Sequence, residues 1–559
     1  MSAVPGTRVE GTSGVGRGRC LRATRAFRAG EIIETYPKPL LALPAARASR
    51  TTCHYCLRYT SKRGRYASVK LKACTGCDQV MYCGQACQKA HWKTVHRSEC
   101  TMFQHIKSTV GKEMPTPVRA LAQVLVLLKK GDPATVAAFG DNGSLASNIE
   151  AFKANEKRWE DIQLQSVGAA MYALPGLTSP TPTAAAAEWA ERAMRALCMI
   201  HTNSFDRLDP DQGMTGVFLD PRLAMINHSC IPNAFVDFQE RTGVLKAQVD
   251  IKAGDEIEIS YIDFTYPKTL RQECLSMYHF QCRCPRCKDD LDVYEICQMS
   301  PAIPLNSISL MPDLDKLRNP AVNRSGVPKG TIDKIYREWL LHKDGIYEVP
   351  EEQSLSVWHA VTPLMRACMW AVEPLPMALS AQCTSFVQTG GIYYALPLAC
   401  FIATECEPYR YVTPFIAWRL KGVMMIVMLM AETARRTASG EMAKVCSHKK
   451  LADILASIDQ VTICEALLRL IVYQGSVSSS EDSEVLFDAK DRLQDIESLE
   501  GREIESALTK KWANDPQDPQ GGAFFQNVVL KAVNDLAALA TEILELELMY
   551  NDHLVRGRG

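Results

Sequence analysis

Eleven of the 21 cysteines fall into two clusters with the spacing of metal ligands. Cys53-x2-Cys56 and Cys74-x2-Cys77 are followed by Cys83-x3-Cys87, then by His91, His96 and Cys100. A pair two apart can grip one ion from a single knuckle, and a pair three or four apart can do so from one helical turn. Eight soft ligands in paired spacing make two tetrahedral zinc sites, and closed sites of this kind are structural. Farther on, Cys282-x-Cys284-x2-Cys287 is one ligand short of a third site. Ahead of that run lies Asn227-His228-Ser229-Cys230-Ile231-Pro232-Asn233, whose Cys230 is the eleventh of these cysteines and which packs two amides, an imidazole, a hydroxyl and a thiol into seven residues. Residues 254–261 then read as a turn and a strand ending in the hydroxyl of Tyr261.

The surrounding chain must position these groups. Residues 8–40 open with Gly11, Gly14, Gly16 and Gly18 and read as two short strands with a glycine-rich approach. Between 101 and 200 the pattern is helical: Val118, Leu121, Val124, Leu125 and Leu128 share one face, Asp132-Pro133 stops that helix, and a second spans 184–200. A Pro/Thr/Ser-rich loop at 173–182 separates them. Residues 201–270 alternate as short strands around Arg241-Thr242-Gly243 and Ala253-Gly254-Asp255. Residues 291–329, with five prolines, read as an irregular linker. Beyond it the chain is helical, interrupted from 476 by a Ser-rich, acidic stretch read as a loop leading into a helix. No chemical motif stands out in that half.

The length of 559 residues predicts three or four domains, and 47% apolar with 23% charged residues is an ordinary globular composition. No secretory leader and no bilayer-spanning run are read, so the cysteines point to metal ligation and reduced thiols. The ten outside the clusters, Cys198, Cys368 and Cys400 among them, are expected to be buried small residues. Net charge is zero, yet residues 1–100 hold 18 Lys and Arg against 5 Asp and Glu. A basic front of this kind suits an acidic partner or forms a solvated surface, and composition leaves both open.

The asparagine–histidine pair, the downstream tyrosine and the trailing cysteines resemble the core of the SET-domain protein lysine methyltransferases. The cysteine-rich segment at 53–100, which resembles the MYND zinc finger, narrows the resemblance to the SET-and-MYND family. It implies an α+β fold. A SET β-core with a pseudoknot carries an inserted zinc finger and a helical insert, and an all-α tetratricopeptide-like domain follows. The implied domains are 1–52 (first part of the SET domain), 53–100 (finger), 101–200 (helical insert), 201–270 (catalytic core), 271–290 (post-SET zinc segment), 291–329 (linker) and 330–559 (helical domain).

The resemblance also assigns residues. Cys53, Cys56, Cys83 and Cys87 hold one zinc ion. Cys74, Cys77, His96 and Cys100 hold the next, which leaves His54 and His91 as non-ligands. Cys230 completes the third site with Cys282, Cys284 and Cys287. The cofactor is S-adenosyl-L-methionine. Arg17, Gly18 and Arg19, Asn148, Asn203, Asn227 and His228 contact it, Phe280 covers its adenine, and Tyr261 stands at the point of methyl transfer. Cys20 occupies the place of the family's second glycine. Phe205 and Tyr278 line the lysine channel. Taken singly, each has a bland alternative. Asn148 suits a helix N-cap, Asn227 could satisfy buried backbone, His228 could be a satisfied core histidine, and Tyr261 a strand aromatic.

The implied function is lysine methylation of proteins, histone tails or cytosolic proteins, by a monomer in cytoplasm or nucleus, with protein or DNA docking through the basic finger and no membrane contact. Such chemistry needs neither a catalytic metal nor a nucleophile of the enzyme's own, in keeping with the absence of a nucleophile motif and of a P-loop. The alternative is a non-catalytic zinc-finger adaptor, which would need none of Asn203, Asn227, His228 or Tyr261.

Overall fold

The computed structural model describes residues 6–11, 18–61, 66–109, 114–174, 184–209, 213–342, 351–477 and 484–546. Its strands are β1 (Thr7–Gly11), β2 (Arg19–Ala23), β3 (Ile32–Tyr36), β4 (Leu41–Pro44), β5 (Lys72–Ala73), β6 (Met81–Tyr82), β7 (Phe205–Asp209), β8 (Gly213–Leu219), β9 (Asn227–His228), β10 (Ala234–Gln239), β11 (Thr242–Ala247) and β12 (Glu256–Ile259). They form small sheets in the orders β1-β2-β12-β9, β10-β11-β3, β4-β8-β7 and β5-β6. The α+β class and a large helical C-terminal region are therefore as expected.

The sheet that matters most joins distant segments. β12 pairs antiparallel with β2 and parallel with β9, Glu258 opposite Asn227 and Ile259 opposite His228. Asn233 extends this pairing with its side chain. Its Oδ1 accepts from the Glu258 N–H at 2.8 Å, and its Nδ2 donates to the Glu256 carbonyl at 2.8 Å. Gly254, at φ +89°, makes the left-handed turn that launches β12.

The zinc-ligand segment and the helical insert share one core, with Leu121, Leu125, Phe152 and Leu197 packed near Cys74 and Tyr82. The insert helix Thr116–Lys129 begins on a proline turn and buries Val118, Leu121, Val124 and Leu125, the face read from its spacing. The loop expected at 173–182 lies outside the described residues from position 175 onward, as do residues 478–483 of the Ser-rich stretch.

Two expectations fail. Residues 291–329 are no linker: Val293–Met299 and Leu314–Arg318 are helical, and Tyr294, Cys297, Ile303, Leu310 and Leu317 belong to the core of the helical half. The prolines misled, because four of them lie beside buried apolar residues that pull the segment into that core. Cys368 is exposed, at φ +55°, in the turn after the helix Glu351–Arg366. The helical half packs tightly on the β-core. A Cβ on Gly30 would lie 2.3 Å from the Val477 carbonyl oxygen, and Thr413 donates to the Gln248 carbonyl at 3.2 Å.

Candidate functional site

The parallel β9–β12 pair brings Asn227, His228 and Tyr261 together. The Tyr261 hydroxyl donates to the Ile226 carbonyl at 2.5 Å. The Tyr261 N–H donates to His228 Nδ1 at 3.0 Å, so the neutral imidazole carries its proton on Nε2, which faces Cys230 Sγ at 3.3 Å. Both ring nitrogens are thus engaged. The side chain of His228 is a buried strut between the tyrosine and a cysteine cluster, and only its main chain is left for a ligand. Around it the rings of Tyr261 and Tyr278 stand 5.0 Å apart, and Phe280 lies 5.9 Å from His228 and 6.3 Å from Tyr261.

On one side of this aromatic group, polar side chains converge. Asn227 Nδ2 donates to the Arg19 carbonyl at 3.2 Å and to Glu256 Oε1 at 2.8 Å. The Arg19 guanidinium reaches the Ser144 carbonyl. Asn203 closes the helix Ala184–Asn203, and its Nδ2 donates to the Ala146 and Met199 carbonyls at 2.8 and 2.7 Å. The loop that ends in Asn148 is therefore tied to both β2 and Asn203. Asn148 sits at φ +50° before the short helix Ile149–Lys153 and makes no side-chain cap, which leaves its amide exposed. Gly18 is left-handed at φ +69°. Cys20 is fully buried within a regular β1–β2 ladder, opposite Glu10. Arg17 lies outside the described residues.

A groove of about 1030 Å³, which Asn203 also lines, runs between the β-core and the helical half. Phe205, Tyr261 and Tyr278 are among its lining residues, as are Trp418 and Met425 of the helical half. Asp206 also lines it, and burial raises its carboxyl above the usual range. Burial, then the charge of Asp206, raises the Tyr278 phenol. Asp206 was missed in the sequence, where its only signal is its place next to Phe205.

Three sets of ligand atoms gather, each within 4.8 Å: Cys53, Cys56, Cys83 and Cys87; Cys74, Cys77, His96 and Cys100; Cys230, Cys282, Cys284 and Cys287. Sulfurs on a tetrahedral zinc ion sit about 3.8 Å apart, from Zn–S bonds of about 2.3 Å. The observed separations fit: 3.5 Å for Cys56–Cys83, 3.9 Å for Cys74–Cys100, and 3.5 and 4.0 Å from Cys230 to Cys287 and Cys282. His54 is engaged elsewhere, with Nε2 on the Ser49 carbonyl and Nδ1 on Arg119. His91 Nδ1 meets the Tyr82 hydroxyl at 3.0 Å, and burial lowers its pKa to about 3. His91 also lies close to His96 and Glu99.

The SET domain family matches residues 18–262. Those residues, somewhat under half of the chain, are similar to the SET domain. It is 31% identical to the histone-lysine N-methyltransferase ASHR1 of Arabidopsis thaliana over 49% of this chain and 53% of that one. It is 29% identical to the SET domain and MYND-type zinc finger protein 6 of Schizosaccharomyces pombe over 48% and 49%. It is 27% identical to the N-lysine methyltransferase SMYD2-B of Danio rerio over 66% and 81%. The chain thus spans about half the length of the first two. The SET-and-MYND resemblance read from the sequence stands with these relatives.

Sequence reasoning missed the groups behind the ligand set of Cys74, Cys77, His96 and Cys100. Glu99 accepts from Arg119 Nε at 2.6 Å and Gln123 at 2.8 Å, and its other oxygen meets His96 Nδ1 at 3.0 Å. Burial by itself would raise that carboxyl, but the charge of Arg119 and the bond to His96 hold it well below the usual range. A carboxylate behind a ligating histidine fixes its tautomer. The signal was present: Glu99 stands three residues after His96, one helical turn away.

Proposed function

We propose that the chain is an S-adenosyl-L-methionine-dependent protein-lysine N-methyltransferase of the SET-and-MYND type, with structural zinc in its three ligand sets. The observation that carries this reading is the position of Tyr261. Its hydroxyl bonds the Ile226 carbonyl next to Asn227, and it lines the groove together with Asn203, Phe205 and Tyr278.

The cofactor, when bound, supplies an activated methyl group. Gly18 and Arg19, Asn148, Asn203, Asn227 and the main chain of His228 hold it in the polar pocket, and Phe280 covers it. The exposed amide of Asn148 is available for that contact. The Tyr261 hydroxyl and the Ile226 carbonyl orient the amine in line, which is where such a site gains most of its rate. Phe205 and Tyr278 form an apolar channel that disfavours an ammonium ion and excludes water, so the amine, whose free pKa is about 10.4, reacts in its neutral form. Asp206 lies beside that channel, where its carboxylate can receive the cation before it enters.

Residues 53–100 act as a MYND-type finger and the helical half as a tetratricopeptide-like docking domain. The groove between the helical half and the core is wide enough for an extended peptide, which fits protein substrates. Relatives are named for histone-lysine and for N-lysine methyltransferase activity, and both substrate classes are carried over here, with action as a monomer in cytoplasm or nucleus. The excess positive charge of residues 1–100 supports docking of an acidic protein or DNA.

Transfer of labelled methyl to core histones and to a cell extract tests the reading, with Tyr261→Phe in parallel. Wild type should label a band, and the variant should lose about 10²–10³-fold, the cost of deleting one oriented hydroxyl at a reacting centre. Absence of cofactor binding in the wild type would sink the enzyme and leave the adaptor.

A further inference from the structure

The third cysteine set has two neighbours that local chemistry leaves unexplained. Arg271, on the helix Lys268–Leu275, is 1% exposed, and Arg286, inside Cys284-Pro285-Arg286-Cys287, is 3% exposed. Other buried arginines differ in their partners: Arg119 has Glu99, whereas Arg419 donates to Asn306 Oδ1 and to the Tyr411 and Val412 carbonyls; Arg271 and Arg286 are set apart by the cysteine set beside them. Among the described residues neither Arg271 nor Arg286 pairs with a carboxylate. Arg271 donates to the Tyr266 carbonyl at 2.6 Å and to Cys287 Sγ at 3.7 Å, and its Nε has no partner. Arg286 donates to the Leu291 carbonyl at 3.3 Å and to the Phe264 carbonyl.

A buried cation without a counter-charge is strongly disfavoured, and arginine does not shed its proton to escape. Carbonyl oxygens supply part of the countercharge, and beside these two arginines the further source is sulfur: Arg271 reaches Cys287 Sγ at 3.7 Å, and Arg286 directly precedes Cys287 in the chain. Four thiols are neutral. Four thiolates on a divalent ion carry a net charge of −2, which two guanidiniums cancel. We propose that Arg271 and Arg286 are positioning residues of the third metal centre: they neutralise its four-thiolate charge and couple it, through the Phe264 and Tyr266 carbonyls, to the chain leading on from Tyr261. The proposal rests on the zinc reading of this cysteine set and adds the reason that zinc is held in so dry a site. It also connects metal to chemistry twice over, since His228 bridges Cys230 and Tyr261 from the other side.

The full chain tests it. Wild type, Arg271→Met, Arg286→Met and Arg271→Lys are dialysed against a chelator, and zinc per chain is counted. The third site is then reloaded with cobalt(II), whose sulfur-to-metal charge-transfer band reports thiolate ligation. The expected result is three zinc ions in wild type and two in either methionine variant. The third site should be weakened about 10–100-fold, as for other groups just outside a metal's ligands. Arg271→Lys should restore the third ion and the cobalt band, because it restores the charge. S-adenosyl-L-methionine affinity should fall in the methionine variants and recover in the lysine variant. Methionine variants that keep three zinc ions at wild-type chelator resistance overturn the proposal. So does a lysine variant as depleted as Arg271→Met, since charge would then not be the reason. Should the methionine variants fail to fold, Arg271→Lys and Arg286→Lys carry the test, and loss of the third ion from both overturns it. Two zinc ions in the wild type would instead refute the underlying zinc reading, and the proposal with it.

Discussion

Two of the three ligand sets are made of four cysteines, yet they sit in opposite surroundings. In the finger, Cys56, Cys83 and Cys87 are half-buried, and water can solvate their charge. The nearby Arg58 is exposed and already paired with Glu240 at 2.7 Å. In the set of Cys230, Cys282, Cys284 and Cys287 all four cysteines are buried, and the two arginines beside them are buried and lack acids among the described residues. The ligands are alike, but the layer outside them differs. The finger set fastens a local knuckle. The inner set holds unscreened charge, and through Arg271, Arg286 and His228 it holds the segment on which Tyr261 stands. Ligand spacing alone identifies a metal site; the groups around it say what else moves when the metal leaves.

The comparison breaks most directly at the ligands. Cys284→Ser and Cys56→Ser should each drop the zinc count from three to two. Only Cys284→Ser should also release Tyr278 and Phe280, and calorimetric cofactor affinity should then fall by at least the roughly 10–100-fold typical of disturbing groups around a metal. Cys56→Ser should leave that affinity close to wild type. Equal losses in the two variants would erase the distinction drawn between the sites.

A third buried cluster behaves differently, because its charges do not balance. Glu373 and Glu407 share the single guanidinium of Arg410, at 2.5 and 2.6 Å. Burial raises Glu373 to about 7, although Arg410 pulls it down. Its folded value exceeds the ordinary 4.5, so the unfolded chain releases this proton first. The stability it contributes is complete below pH 4.5 and is lost as pH rises through about 7. At about 1.4 kcal/mol per unit, the loss is about 3 kcal/mol. Denaturant titrations at about pH 5 and 8 should show that decline in wild type and less of it in Glu373→Gln. A decline of equal size in the variant would assign it to other groups.

Between the two four-cysteine extremes lies the set with a histidine, where the buried cation Arg119 does have its acid. Glu99→Gln keeps the shape but removes the charge that both His96 and Arg119 use. Zinc at Cys74, Cys77, His96 and Cys100 should weaken about 10–100-fold, read by chelator competition. An unchanged affinity would show that this carboxylate serves only to pack the insert helix Thr116–Lys129.

The sequence carried the site better than it carried the fold that holds it. Ligand pairs two to four residues apart and the run 227–233 are local chemistry, and the structure gathers those residues. What joins them is not local. Nothing in the spacing shows that Asn233 completes the edge of β12, that Arg271 reaches Cys287, or that the side chain of His228 is consumed internally. Residues 291–329 were misread because proline content outweighed the apolar residues between the prolines, whose partners lie in helices some hundred residues onward (Tyr294 against Tyr409, ring centres 4.6 Å apart). In the helical half, periodicity reveals helices but not the order in which they stack.

The smallest expected effect is the strictest check on the contrast between the two four-cysteine sets. Arg58 lies just beyond the Cys53-x2-Cys56 knuckle, but water and Glu240 both reach it. An exposed pair of this kind is worth between nothing and about 1 kcal/mol. Arg58→Ala should therefore leave three zinc ions bound, at unchanged chelator resistance, and lower stability to denaturant by less than about 1 kcal/mol. If it strips the finger's zinc as Arg271→Met is expected to strip the inner ion, charge balance governs both sites alike. Burial would then not be what separates them.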